Sequence, residues 1–194
     1  MTRDEALALM HEHTQSPSLR QHMLAVEAAM RAYARRYGED EELWAVTGLV
    51  HDLDYERYPD LETGHPRHGL AELRRRDYPQ EVIDAVAGHA DFMGVPRETQ
   101  MAKALYAVDE LCGFVTACAL VRPTGIEGMK PKSVRKKMKQ PSFAAAVDRE
   151  QLQRGSDELG VEMNEHIQVV IDALAERAEE LELGPREAAE AGPA

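Results

Sequence analysis

The sequence predicts an all-α fold, and three observations favour this fold class. Apolar residues recur at three- and four-residue spacing along most of the chain, as they do on the buried face of a helix. Short polar turns separate these stretches, and no stretch shows the two-residue alternation of a half-buried strand. The 194 residues include 43% apolar and 30% charged residues, so the chain is long enough to bury a core without disulfides.

Local signals place the helices in chain order. Ser16 or Ser18 can cap the second helix, Gly38 is typical of its C-terminal end, and Pro66 suits the first turn of the fourth. Acidic residues 39–42 favour the positive N-terminus of the third. The predicted helices are 3–12, 18–37, 40–52, 66–76, 79–90, 97–121, 132–139, 142–154 and 161–181.

The most apolar helix, 97–121, is expected at the centre of one domain. Cys112 and Cys118 lie six positions apart on this helix and so on opposite faces, which predicts two small buried side chains rather than a disulfide. We predict a single helical domain over 1–183, with a core of about 18–120 and a basic helical extension of about 121–183. The Ala-, Glu- and Pro-rich residues 184–194 are expected to fray.

The net charge and the termini limit the function classes. A formal net charge of −12 argues against a protein that coats polymeric nucleic acid or an anionic membrane. No apolar run approaches the ~20 residues of a membrane span. The first residues, MTRDEALALMHEH, lack the basic start and apolar core of a secretory signal, so a cytoplasmic location is expected.

Ionisable side chains interrupt the predicted apolar faces of five helices. They are His22, His51, His65, His89 and Asp109. A single inward histidine is usually a hydrogen-bonded core residue, and a single inward carboxylate can pair with a buried arginine or tyrosine. One shared divalent cation, however, would satisfy all five at once. Imidazole and carboxylate ligands without thiolates favour Mn, Fe, Co, Ni or Zn, and Mg is also possible.

Four residues in this order resemble the metal-binding set of the HD superfamily. They are His22 in SLRQHMLAVE, His51 and Asp52 in GLVHDLDYERYP, and Asp109 in LYAVDELCGF. The resemblance covers about residues 18–120. It implies an HD-domain helical bundle with a metal site between its central helices, and a metal-dependent phosphohydrolase.

The segment GHPRHGLAEL adds a resemblance to binuclear HD phosphodiesterases, which have a His-Pro-x-x-Gly segment. The resemblance implies that His65 and His89 bind a second metal and that Asp52 bridges the two. His68 competes with His65 but lies on the predicted outer face. A Gly-Tyr-Pro tripeptide is absent, and Tyr55 stands where a lysine is often found, which argues against a cyclic dinucleotide phosphodiesterase. The other histidines are expected at the surface: His11, His13 and His166.

Further residues are candidates for catalysis and substrate binding. Asp54 and Glu56 could orient the attacking water or protonate the leaving group, or they could simply lie in an exposed turn. An acidic protein that binds phosphate esters needs local positive charge, and a basic segment follows the core. It could equally be a solvated helix face. The candidate substrate-binding residues are Arg122, Lys130, Lys132, Arg135, Lys136 and Arg149.

Together these features predict a phosphohydrolase that uses one or two divalent metals and metal-activated water. The expected substrate is a phosphate ester of a nucleotide or another small phosphorylated metabolite, and the chain could form a homodimer. The resemblance leaves two alternatives open. A few HD proteins, such as myo-inositol oxygenase, hold a diiron centre with nearly the same ligands, and other modules bind metal in a regulatory role.

Overall fold

The computed structural model describes residues 2–185, and this part of the chain is helical without a β-strand. The predicted all-α fold class is therefore confirmed. Within these residues the helices are α1 (Arg3–His13), α2 (Pro17–Tyr37), α3 (Glu41–Val50), α4 (Arg67–Arg75), α5 (Gln80–Gly88), α6 (Gln100–Leu120), α7 (Pro131–Met138), α8 (Arg149–Leu159) and α9 (Met163–Glu176). A short 3₁₀ helix, Asp91–Met93, follows α5.

Local capping residues set the helix ends that position the site. The Ser16 hydroxyl accepts the N–H of Leu19, so Ser16 is the N-cap of α2. Gly38 ends α2 in the left-handed conformation, at φ 71°. The Asp40 carboxylate accepts two N–H groups at the start of α3. As a result, α3 runs back along α2 after a very short connection.

The two longest helices, α2 and α6, form the centre of the bundle. Helix α2 packs against α3, α6 and α9, and α6 also packs against α5 and α8. Tyr33 of α2 and Phe114 of α6 are among the largest fully buried side chains. Cys112 and Cys118 are both buried and free, as predicted. The central place expected for α6 is thus confirmed.

Helices α2 and α3 meet backbone to backbone at Gly48. A Cβ atom on Gly48 would lie 2.8 Å from the Cα atom of Glu27, which is closer than real Cβ atoms approach. Only glycine therefore permits this crossing. The crossing lies three residues before His51, so it sets the position of that side chain relative to α2.

A buried carboxylate, Glu27, joins three parts of the fold. Its oxygens lie 2.6 Å from Arg3 Nε, 3.2 Å from Arg31 Nε and 2.9 Å from Arg177 Nη1. The Glu27 side chain is fully buried, whereas the three arginines are each partly exposed. Burial raises the pKa of Glu27, but the arginines outweigh burial and hold that pKa below its ordinary value. Glu27 is not among the residues to which the sequence predictions assign a role.

The predicted helix over 142–154 is wrong in its first half. Residues 141–147 form turns, and α8 begins only at Arg149, after the capping carboxylate of Asp148. The Arg149 guanidinium donates hydrogen bonds to the carbonyl groups of Phe143, Ala144 and Val147. These bonds satisfy carbonyl groups that a helix would otherwise use, so the chain turns here.

The end of the chain also differs from the prediction. Helix α9 stops at Glu176, earlier than the predicted end at 181, and residues 177–182 form turns. Of the predicted frayed tail, residues 186–194 lie outside the described residues.

His166 is buried, so its predicted place at the surface is wrong. Its Nε2–H donates to the Ala107 carbonyl group at 3.0 Å, and its Nδ1 accepts from the Tyr33 hydroxyl group at 2.6 Å. Burial lowers the pKa of His166 to about 4, so the ring is neutral at pH 7. By contrast, His11 is exposed and His13 is half-buried.

No helix in residues 2–185 combines the length and the apolar character needed to cross a membrane.

Candidate metal centre

Six histidine and aspartate side chains meet at an open cleft of about 680 Å³. Five of them line the cleft, and the sixth, His51, is buried beside them. They come from α2, the end of α3, the turn before α4, the end of α5, and α6. The fold thus brings together all the residues proposed as metal ligands: His22, His51, Asp52, His65, His89 and Asp109.

The Asp52 carboxylate lies between two pairs of histidines. Its Oδ2 is 3.8 Å from His22 Nε2 and 3.5 Å from His51 Nε2. Its Oδ1 is 3.6 Å from His65 Nε2 and 3.7 Å from His89 Nε2. Each pair forms, with Asp52, a group whose potential ligand atoms lie within 4.8 Å of one another. Two cation positions that share one carboxylate are therefore possible.

Asp109 lies beside the first of these groups. Its Oδ1 lies 2.9 Å from His22 Nε2 and 3.5 Å from His51 Nε2. Asp109 projects from α6, a largely buried helix, so a carboxylate here needs a counter-charge. Together with Asp109, the first group thus offers two imidazoles and two carboxylates.

Backbone carbonyl groups orient two of the imidazole rings. His51 follows the last turn of α3, and its Nδ1–H donates to the Gly48 carbonyl group at 2.8 Å. His89 follows the last turn of α5, and its Nδ1–H donates to the Val86 carbonyl group. In both rings the Nε2 lone pair is then left for a cation. Because His51 Nε2 is buried and has no hydrogen-bond partner among the described residues, a metal ion would satisfy it.

The charges of the site also favour a cation. Burial lowers the pKa of His51, but Asp52 and Asp109 outweigh it and raise this pKa to about 9. Burial raises the pKa values of Asp52 and Asp109, but His51 and the other histidines hold both well below the ordinary range. The carboxylates therefore stay ionised and attract positive charge to this point. The ligand set is compatible with divalent metal ions.

Asp54 does not face the cleft, in contrast to its predicted role beside the attacking water. Its carboxylate is buried, accepts the Nδ1–H of His65 at 2.8 Å, and accepts the backbone N–H of Gly69 at 2.6 Å. A Cβ atom on residue 69 would lie only 3.2 Å from the carboxylate, so glycine leaves room for it. Asp54 therefore orients His65 and directs its Nε2 towards Asp52 and His89.

We expect the substitution Asp54→Asn to weaken the second cation position by about 10- to 100-fold, because the amide no longer holds His65 as a carboxylate does. Stepwise titration of the metal-free chain with Mn²⁺ measures both affinities. The first position, at His22 and His51, should keep its affinity. Asp84→Asn, at an exposed position on α5, is the matched control. Unchanged affinity at both positions in the Asp54 variant would contradict this role.

Glu56 is also placed differently from the prediction. Its carboxylate is exposed and accepts the backbone N–H groups of Gln15 and Ser16, at 2.7 and 2.9 Å. These bonds lower its pKa. Glu56 thus stabilises the turn before α2. It is not among the residues that line the cleft.

The basic segment does not line the cleft. The Arg122 guanidinium is engaged with the carbonyl groups of Gly125 and Glu127, and that of Arg149 holds the 143–147 turn. Lys130, Lys132, Arg135 and Lys136 are exposed on and beside α7. The expectation that these six cations surround the substrate is therefore not met, because proximity in the sequence does not bring them to the cleft.

Other side chains of the cleft are not among the residues predicted from the sequence. Glu110 follows Asp109, and burial together with the Asp109 charge raises its pKa to about 7. Asp148, Gln151 and Arg154 line the cleft from α8 and its N-cap. The position of Glu110 next to Asp109 could have suggested it, whereas the place of α8 depends on tertiary packing.

Comparisons with known proteins agree with this site. A family model for the HD domain matches residues 19–113. Over 88 residues, or 45% of this chain, the sequence is 34% identical to ribonuclease Y of Rhodopirellula baltica. Over 102 residues, or 53% of this chain, it is 32% identical to ribonuclease Y of Thermus thermophilus. The chain spans only 17% and 16% of these relatives. No solved structure matches the chain.

The matched region contains all six side chains of the metal centre, and it ends within α6. Helices α7–α9 lie outside it. Residues 19–113, just under half of this chain, are therefore similar to the HD domain family.

Proposed function

We propose that this protein is a metal-dependent phosphohydrolase that cleaves a phosphate ester of a small molecule. The observation that carries the proposal is the place of Asp52 between His22 and His51 on one side and His65 and His89 on the other. Two cations that share a carboxylate are the arrangement with which many enzymes stabilise both the attacking and the leaving oxygen of a phosphoryl group. The similarity to ribonuclease Y, an enzyme named for cleaving RNA, supports phosphate ester chemistry.

The residues of the chain have distinct tasks in this proposal. His22, His51 and Asp109 would hold one divalent cation, His65 and His89 the other, and Asp52 both. Bound divalent cations supply positive charge to the phosphoryl oxygens and lower the pKa of a water molecule to near neutrality.

Two further groups preorganise these proposed ligands. Asp54 and the Gly48 carbonyl group fix the rings of His65 and His51, so little reorganisation is needed when substrate binds. No serine or cysteine nucleophile lines the described cleft, which agrees with direct attack by water. The cleft volume of about 680 Å³ suits a small phosphorylated molecule.

The test compares the chelator-treated full chain with the same chain loaded with Mn²⁺, Co²⁺, Ni²⁺, Zn²⁺ or Fe²⁺. We expect hydrolysis of p-nitrophenyl phosphate or its bis-ester with at least one metal, no hydrolysis without metal, and up to two metal ions per chain by elemental analysis. Failure to hydrolyse any ester with any of these metals would overturn the proposal. Oxygen consumption by the iron-loaded chain without ester hydrolysis would instead favour the diiron oxygenase.

A further inference from the structure

One wall of the cleft comes from outside the HD domain. Helix α8 and its N-cap contribute Asp148, Gln151 and Arg154. Gly155 allows α8 to pack closely against α6, because a Cβ atom at this position would lie only 2.8 Å from the Cα atom of Ala107. This contact is two residues before Asp109, so the α8 side chains have a fixed place relative to the metal centre.

Arg154 already has its charge balanced. Its Nη2 lies 3.0 Å from Asp91 Oδ2, and its Nε donates to the Tyr106 hydroxyl group at 3.2 Å. Asp91 in turn lies 2.9 Å from Arg97 Nη1, and the Arg97 guanidinium stacks 3.6 Å from the Tyr106 ring centroid. Arg154 is thus part of an ion-pair network and not a free anchor for phosphate.

The outer part of the cleft is acidic. Apart from the metal-centre residues, the described residues that line the cleft include three carboxylates and a single guanidinium: Asp91, Glu110, Asp148 and Arg154. The phosphoryl group at the metal centre would be neutralised by the cations. Arg154 lies 3.0 Å from Asp91 Oδ2 and 3.8 Å from Asp148 Oδ2, so a second or third phosphate on the same molecule would meet no unpaired cation among the described lining residues and would lie beside carboxylates.

Exposed apolar side chains complete this part of the cleft. Tyr55, Leu61 and Phe92 line it and are 44%, 50% and 46% exposed. The Tyr55 ring stands edge-to-face against His65, with ring centroids 5.2 Å apart. Exposed aromatic rings beside hydrogen-bonding groups are suited to a flat, polar-edged group such as a nucleobase.

We propose that the α8 wall and the exposed side chains form a subsite for the nucleoside part of a nucleoside monophosphate. This inference rests on the proposed function and narrows its substrate class. In the reaction, the oxygen of water bonds to phosphorus and the P–O bond to the nucleoside breaks. The nucleoside oxygen takes up a proton, and the products are a nucleoside and inorganic phosphate.

The test measures kcat and KM of the metal-loaded full chain for adenosine monophosphate, adenosine triphosphate and glycerol phosphate. We expect kcat/KM for the monophosphate to exceed that for the triphosphate at least about tenfold. Phe92→Ala should raise KM for the monophosphate about 5- to 20-fold with a smaller change in kcat. Tyr58→Ala is the matched control, because Tyr58 is equally exposed but stacks on His68 outside the cleft.

A second variant, Asp148→Asn, tests the charge of the subsite. Asparagine also caps helices, so α8 should form as before. Removing the negative charge should raise the ratio of kcat/KM for the triphosphate to kcat/KM for the monophosphate about threefold.

The outcomes separate the two proposals. Equal or better turnover of the triphosphate, or an unchanged KM in the Phe92 variant, would overturn the subsite while leaving the phosphohydrolase intact. If no ester is hydrolysed, the proposed function fails, and calorimetric binding then decides on the subsite. The subsite is supported if the parent chain binds adenosine monophosphate more tightly than adenosine triphosphate and if Phe92→Ala weakens the binding of the monophosphate. The subsite is overturned if both nucleotides bind equally to the parent chain and to the variant.

Discussion

Replacing Asp52 with alanine is expected to lower kcat for phosphate ester hydrolysis on the order of 10³-fold or more. Asp52 is the carboxylate that both groups of potential ligands share, so its loss affects both cation positions at once. Steady-state kinetics of the metal-loaded variant measure the effect. Elemental analysis after desalting should show at most one metal ion per chain.

The same variant should keep the helical content of the parent chain. Asp52 follows the last turn of α3 and its side chain borders the cleft, so no helix depends on it for capping or core packing. Far-ultraviolet circular dichroism checks this point, and Asp84→Ala on the exposed face of α5 is the control. Retention of two metal ions, or of more than a tenth of the parent activity, would refute the central role of Asp52.

Replacing Glu27 with glutamine should lower the free energy of unfolding by about 3 kcal/mol at pH 7, because partners of a buried carboxylate are left without their counter-charge. Arg3, Arg31 and Arg177 all reach this one side chain, so α1, α2 and the segment after α9 lose a common contact. Urea unfolding followed by circular dichroism measures the change. Glu98→Gln, at an exposed position, should change stability by no more than about 0.5 kcal/mol.

The effect of Glu27 should depend on pH in a defined direction. Its pKa in the folded protein lies below the ordinary value of 4.5, so the stabilisation is fully present above about pH 4.5. It is lost as pH falls through the depressed pKa of the folded state. The difference between Glu27→Gln and the parent chain should therefore shrink in acid, and a difference that grows in acid would contradict the ion-pair explanation.

The residues that meet at the candidate metal centre could be predicted because their signals are local in the sequence. His51 and Asp52 end one predicted helix, His89 ends another, and Asp109 interrupts the long apolar helix at the centre of the bundle. Each is unusual on a buried helix face, and their order resembles a known family. The helices that carry them were also predicted closely, since capping residues and apolar spacing both act within one or two turns.

The remaining features depend on contacts between distant segments. The sequence offered no direct sign that α8 would dock against Ala107 and bring Arg154 to the cleft. Likewise, Asp54 acquired its role from His65 and Gly69, which come together with it only in the fold. For Glu27 a sign existed, because it lies four residues after Met23 and three before Met30 on the apolar stripe of α2.

The backbone contact at Gly48 has a consequence for the fluctuations of the native state. No side chain lies between α2 and α3 at Gly48, so a change of rotamer cannot let these helices move apart. Separating them would require disrupting the packed core. Backbone amides around this crossing should then exchange with solvent only through global unfolding. We expect a ligand to enter on the side of the cleft formed by exposed residues such as Tyr55 and Phe92, because movement there disrupts little of the packed interior.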